Sequence, residues 1–202
     1  MTKKTKSIEP SAGNESKASQ AVQTQYRTIK YDNRTYSWTS KRWIDIQTFT
    51  SPPAMIVDQL DALLLPILLE EDDKISNVQQ LLDRAKDARD QKQYTRTESL
   101  ARKILHLAPG NFGAMAILCS CLRAVGKPEE ALKASESPKM VEYPPLILTR
   151  AAALCDLGRW EDAIIEVRKV FAIAKKHSSW GYVNIQASPI LNRIKAIRPD
   201  LF

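Results

Sequence analysis

The 202-residue chain predicts a mainly α protein: about three stacked helical hairpins with a C-terminal capping helix, preceded by a small N-terminal β-hairpin appendage. Three observations predict it. Residues 145–172 hold two apolar stripes at helical spacing, Leu146, Ile147, Leu148, Ala151, Leu154 and Cys155 in the first and Trp160, Ala163, Ile164, Val167, Val170 and Phe171 in the second. Gly158 lies between them, where a left-handed residue would end the first helix. Next, the pattern recurs. Gly126 and Ala131 match Gly158 and Ala163 at a step of 32 residues, Tyr94 and Thr97 fall one further step of 34 earlier, and the small residues Ala85, Cys119 and Ala151 repeat at 34 and 32. A helical hairpin leaves one apolar face bare, so each copy needs a neighbour of its own kind. Last, residues 26–50 change period: Ile29 and Tyr31, then Tyr36 and Trp38, alternate with polar residues around Asp32-Asn33.

The repeated pieces read LLDRAKDARDQKQYTRTESLARKILHLAPGN, AILCSCLRAVGKPEEAL and LTRAAALCDLGRWEDAI. With a period near 34, this stretch, roughly residues 78–171, resembles the tetratricopeptide repeat (TPR) family. The second copy departs from the pattern with Pro128 where an aromatic is usual. The resemblance implies a binding scaffold whose concave face is lined by the first helix of each pair. The family's variable groove positions carry over to Lys86, Arg89 and Asp90, then Ser120 and Arg123, then Arg150, Ala152 and Asp156. Leu82 and Lys86 stand where chaperone-binding members hold Lys and Asn, so a chaperone tail is not the expected ligand. Arg89 and Arg123, one repeat apart, are expected on one wall, where guanidinium groups would favour an acidic peptide or protein segment. The expected function is therefore protein–protein interaction, as an adaptor or scaffold.

Charge is unevenly placed: +4 over residues 1–30, +1 over 31–50, −5 over 51–77 and +7 over 78–202. A basic repeat region suits acidic partners, nucleic acid among them; its blander reading is a solvated surface. The alternative function is thus a nucleic-acid-associated regulatory protein using the basic face and the N-terminal arm.

In chain order, residues 1–25 are rich in Ser, Lys and Gln and read as a disordered basic tail. Residues 26–50 form the aromatic hairpin, with Trp43–Phe49 as a candidate third strand. Tyr36, Trp38 and Trp43 make up an aromatic patch that either packs as an N-terminal cap or, beside Arg34, Lys41 and Arg42, stacks a partner or a single-stranded nucleic acid. Residues 51–74 read as a helix over 54–65, ended or kinked by Pro66, then a solvated acidic linker, Glu70–Asp73. Residues 75–202 form the helical domain. Ser188-Pro189 looks like a cap followed by a first-turn proline, opening a final helix through Ile197.

No phosphate-binding glycine loop occurs, and neither His106 nor His177 lies in a motif with a cysteine, so no catalytic site, metal or cofactor is expected. Cys119 and Cys121, two residues apart on a helix, point away from each other and read, like Cys155, as core residues. Three cysteines, no secretory leader and no apolar run of membrane length together lead to the expectation of a cytoplasmic protein.

Overall fold

A computed structural model describes residues 27–39, 42–136 and 143–202. The basic tail expected over residues 1–25 and Lys41 of the aromatic segment lie outside them. The chain divides into two units, Met1–Leu60 and Asp61–Phe202.

The first unit carries an antiparallel sheet in the order β1 (Arg27–Tyr31), β2 (Arg34–Trp38), β3 (Trp43–Asp45). Asp32 and Asn33 take φ of +47° and +58°, the left-handed pair that a two-residue turn needs to match strand twist, and Tyr31 opposes Arg34 across it. Trp38 opposes Trp43, with ring centroids 5.4 Å apart. The third strand is shorter than the stretch 43–49 expected for it. The Asp45 carboxylate accepts the backbone N–H groups of Gln47 and Thr48 and so bends the chain out of the ladder. The same carboxylate accepts Arg34 Nη1 at 2.8 Å. That bond, against the opposing effect of burial, holds the Asp45 carboxyl below the usual range.

Eight α-helices follow among the described residues: α1 (Ala54–Asp73), which carries the unit boundary, α2 (Val78–Asp90), α3 (Tyr94–Leu107), α4 (Phe112–Ala124), α5 (Pro128–Ala134), α6 (Pro144–Asp156), α7 (Trp160–Lys176) and α8 (Val183–Ile197). One turn geometry closes three of them. Lys92, Gly126 and Gly158 sit just past α2, α4 and α6 with φ of +59°, +77° and +71°. Each turn makes the same two bonds. Lys92, Gly126 and Gly158 donate their N–H to the carbonyls of Arg89, Arg123 and Cys155; the next residues, Gln93, Lys127 and Arg159, donate to Ala88, Leu122 and Leu154. These are the paired bonds of a Schellman cap, which satisfy the last carbonyls of a helix and turn the chain back. The steps between the left-handed residues are 34 and 32.

The returning helices pack on small residues. Ala85, Cys119 and Ala151 are fully buried, as are Thr97, Ala131 and Ala163 on the helices that follow. One core joins α2, α3, α4 and α5 through Leu81, Leu100, Ile104, Leu118, Leu122 and Ala131. Ile147, Leu148 and Ala151 of α6 pack with Val167 and Val170 of α7 and with Val183 and Ala187 of α8. Farther along, Leu154 and Cys155 meet Ile194. The contacts advance together along both chains, so α8 runs in the same direction as α6.

Two expectations are corrected. First, α1 does not stop at Pro66; it continues to Asp73. Pro66 denies a donor to the carbonyl of Ala62, which is an exposed residue, so solvent is at hand. The last turn is fixed rather than solvated. Asp72, 3% exposed, accepts Arg84 Nη1 at 2.8 Å and Arg96 Nε and Nη2 at 2.6 and 3.0 Å, while Lys103 Nζ donates to the Asp72 and Asp73 carbonyls. The acidic "linker" is a clamp onto α2 and α3. Second, Ser188-Pro189 does not start the final helix. It lies inside α8, which begins at Val183. Ser188 Oγ donates to the Asn184 carbonyl at 3.0 Å, and Ile185, whose carbonyl loses its donor to Pro189, is 77% exposed.

Lys92 alone of the three turn residues carries a side chain in the left-handed region. Lys92→Gly should therefore stabilise the protein by about 1 kcal/mol, raising Tm by about 2–4 °C. Gly126→Ala and Gly158→Ala should each lower stability by about 1–2 kcal/mol through backbone strain. At Gly126 an added methyl meets nothing within 4 Å, so a loss there is not a clash. Urea unfolding of the three variants checks this. By the same method Asp72→Ala should cost about 3–5 kcal/mol, because it strands the nearly buried Arg96, whereas Asp72→Leu with Arg96→Met should recover most of it.

Candidate functional site

The three turns also assemble a surface. Arg89, Arg123 and Cys155, whose carbonyls accept the first bond of each turn, stand three residues before the left-handed residue. They therefore occupy the same place at the ends of α2, α4 and α6. A groove of about 490 Å³ lies along them, lined by Arg89 from α2, Ala116, Ser120 and Arg123 from α4, Pro145, Leu148, Thr149, Ala152 and Cys155 from α6, and Gln186, Pro189, Ile190 and Arg193 from α8.

Its charged end is tied together. Arg123 Nε donates to Asp156 Oδ2 at 2.7 Å, and Arg193 Nη1 donates to the other carboxylate oxygen. Burial works against ionisation of Asp156, but the hydrogen bonds from Arg123 and Arg193 outweigh it and hold the carboxyl below its usual range. The Arg193 guanidinium also lies 5.6 Å from the centre of the Trp160 ring, and its Nη2 reaches the Cys155 carbonyl at 3.4 Å. Arg89 donates from Nε and Nη2 to Asp90. The five charges Arg89, Asp90, Arg123, Asp156 and Arg193 sum to +1, less basic than the arginines alone suggest. Donors remain. Both Nη groups of Arg123, Nη1 of Arg89 and Oγ of Ser120 hydrogen-bond to no protein group among the described residues. Among the described residues, no acidic side chain lines the groove itself.

Of the residues singled out in the sequence, Arg89, Ser120, Arg123 and Ala152 line the groove, and Asp156 and Asp90 orient its arginines. Lys86 pairs with Asp83 at 3.1 Å on its own helix, and Arg150 faces Glu166 of α7 at 3.8 Å; neither lines the groove. The wall supplied by α8 was missed. Arg193 follows Ile190 by three residues and so falls on the same side of the helix, and that spacing was the available signal.

Of the two readings of the aromatic patch, burial favours packing over stacking. Tyr36 and Trp43 are 1% and 2% exposed and Trp38 is half-buried, so the rings are not free to stack a base. Burial of all three cysteines disfavours their thiolates. Burial pushes the Cys119 thiol up to about 12 and raises Cys121 and Cys155, and Cys121 Sγ donates to the Tyr94 carbonyl. Among the described residues, no helix is long and apolar enough to cross a membrane. Neither a protein-family model nor a curated protein matches the chain.

The lowered Asp156 carboxyl ties the charged end to pH. A depressed native pKa contributes stability that is full above the unfolded value near 3.9 and is lost as pH falls through the native one. Melting curves between pH 5 and 2.5 should therefore show a loss below about pH 4. Asp156→Asn should remove part of that dependence while lowering stability at pH 7.

Proposed function

We propose that the protein is a non-catalytic, cytoplasmic scaffold of the TPR kind, an adaptor that binds an acidic peptide or protein segment of a partner in the groove between α4, α6 and α8. The observation that carries this reading is the groove lining: three arginines and, among the described residues, no acidic side chain, over a floor of Ala116, Leu148, Ala152 and Ile190. The spare donors of Arg123, Arg89 and Ser120 suit carboxylates, and the apolar floor suits the side chains beside them. The recurrence of one turn at steps of 34 and 32 supports the repeat assignment. The rival reading, a nucleic-acid-associated regulatory protein, keeps the +7 charge of residues 78–202 but loses its stacking rings to burial.

The test is fluorescence anisotropy of the full chain against labelled acidic-apolar peptides, their Gln-for-Glu counterparts and single-stranded oligonucleotides, each at two salt concentrations. Acidic peptides should bind and the Gln counterparts should not. Arg89→Gln with Arg123→Gln should weaken binding roughly tenfold, since exposed ionic contacts are each worth about 1 kcal/mol or less. Neutral Gln is the better probe than Glu, because Glu at position 123 would face Asp156. Oligonucleotide binding that falls steeply with salt, without peptide binding, would move the protein to the rival class.

A further inference from the structure

A second chemically distinct surface lies at the corner between α7 and α8. Residues 167–198 hold seven Lys and Arg and no Asp or Glu. Lys175 and Lys176 end α7, are exposed, and form no ion pair among the described residues. Beyond them, Trp180 packs on Tyr182 with ring centroids 5.9 Å apart and meets Tyr143 edge-on at 5.7 Å. Tyr143 in turn stacks on Phe112. This chain of rings ties the corner to the starts of α4 and α6. Its outer end stays in solvent. Tyr182 is 48% exposed, and Ile185, three residues along and on the same side of α8, is 77% exposed.

We propose that this corner is a peripheral attachment site for an anionic membrane surface, with Tyr182 and Ile185 entering the interface and Lys175 and Lys176 on the headgroups. The other occupants fit less well. A second copy of the corner would set lysines against lysines. A folded protein partner uses about 20–30 residues a side, against the few side chains that protrude here. A single-stranded nucleic acid needs open ring faces, but Tyr143 and Trp180 are engaged with other rings and Ile185 has none. A bilayer interface demands neither shape complementarity nor a flat ring. Trp and Tyr settle at headgroup level, an aliphatic side chain reaches the acyl boundary, and lysines are drawn to an anionic surface. With so few groups the attachment is weak and reversible. None of Lys175, Lys176, Trp180, Tyr182 and Ile185 lines the groove, so the two surfaces separate by mutation.

The experiment is co-sedimentation of the full chain with phosphatidylcholine vesicles and with vesicles that also contain phosphatidylserine. The protein should sediment with the phosphatidylserine vesicles, and less so as salt is added. Lys175→Ala with Lys176→Ala should weaken this binding about 25-fold, roughly fivefold for each lysine near the surface. Ile185→Ser should weaken it at least about fivefold through lost apolar insertion. All three positions are exposed, so Tm should move by no more than a few degrees. Arg89→Gln with Arg123→Gln should bind vesicles as the native chain does. Loss in the lysine variant with none in Ile185→Ser would overturn the proposal, because plain attraction of a basic chain would then suffice. Binding that survives both changes but is lost on replacing Lys3, Lys4 and Lys6 by Ala would overturn it too, by moving the attraction to the N-terminal segment. No sedimentation with phosphatidylserine vesicles at low salt would sink it outright. A single-stranded oligonucleotide bound at low salt and lost in the corner variants, with vesicles left unbound, would make the corner a nucleic-acid surface instead.

Discussion

A left-handed residue followed by two back-reaching N–H groups is the constraint on which the helical unit depends. It occurs past α2, α4 and α6, at Lys92, Gly126 and Gly158. Without it the last carbonyls of each helix would lack donors and the next helix would leave at an uncontrolled angle. With it, each following helix returns so that Thr97, Ala131 and Ala163 are fully buried against their neighbours. The same register brings Arg89, Arg123 and Cys155 to equivalent places, so the charged end of the groove follows from how the helices stop.

The Asp72 clamp does different work. Apolar packing joins α2 through α8 into continuous cores, whereas the end of α1 is held by directional charge-assisted bonds to Arg84 and Arg96 and by Lys103 on backbone carbonyls. A buried carboxylate with three guanidinium contacts gives geometric specificity more than net stability. It fixes where α1 ends, and so keeps Leu64 and Leu68, two and one helical turns before it, on the buried face.

How much was legible follows from the range of each interaction. The turns, the buried small residues and the Asp32-Asn33 hairpin are local, set by residues within a few positions of each other, and the sequence pattern discloses them. The role of Asp72 is not local. Its partners lie 12 and 24 residues away, and four consecutive acids look like a solvated run until Arg96 is placed beside one of them. The two prolines misled for one shared reason. Each imitates a helix boundary, yet each removes a donor from a carbonyl on an exposed side, where the helix continues past it. Arg193 lay within the expected final helix, but groove positions were assigned only to the three hairpins, so one wall of the groove went unnamed. Lys86 and Arg150 were expected there because sequence position cannot show that Asp83 and Glu166 occupy them instead.

The coincidence of turn and groove has a consequence for reading variants. Gly126 and Gly158 line nothing in the groove, yet the carbonyls they cap belong to Arg123 and Cys155, which do. A substitution at either glycine would tilt the helix end that aims a groove-lining residue. In a mutational scan of the proposed peptide site scored by affinity, these two positions would stand out as though they touched the ligand. Architecture and the proposed recognition share these turns, and a map of that site drawn from lost affinity would extend about one helical turn beyond the true contact.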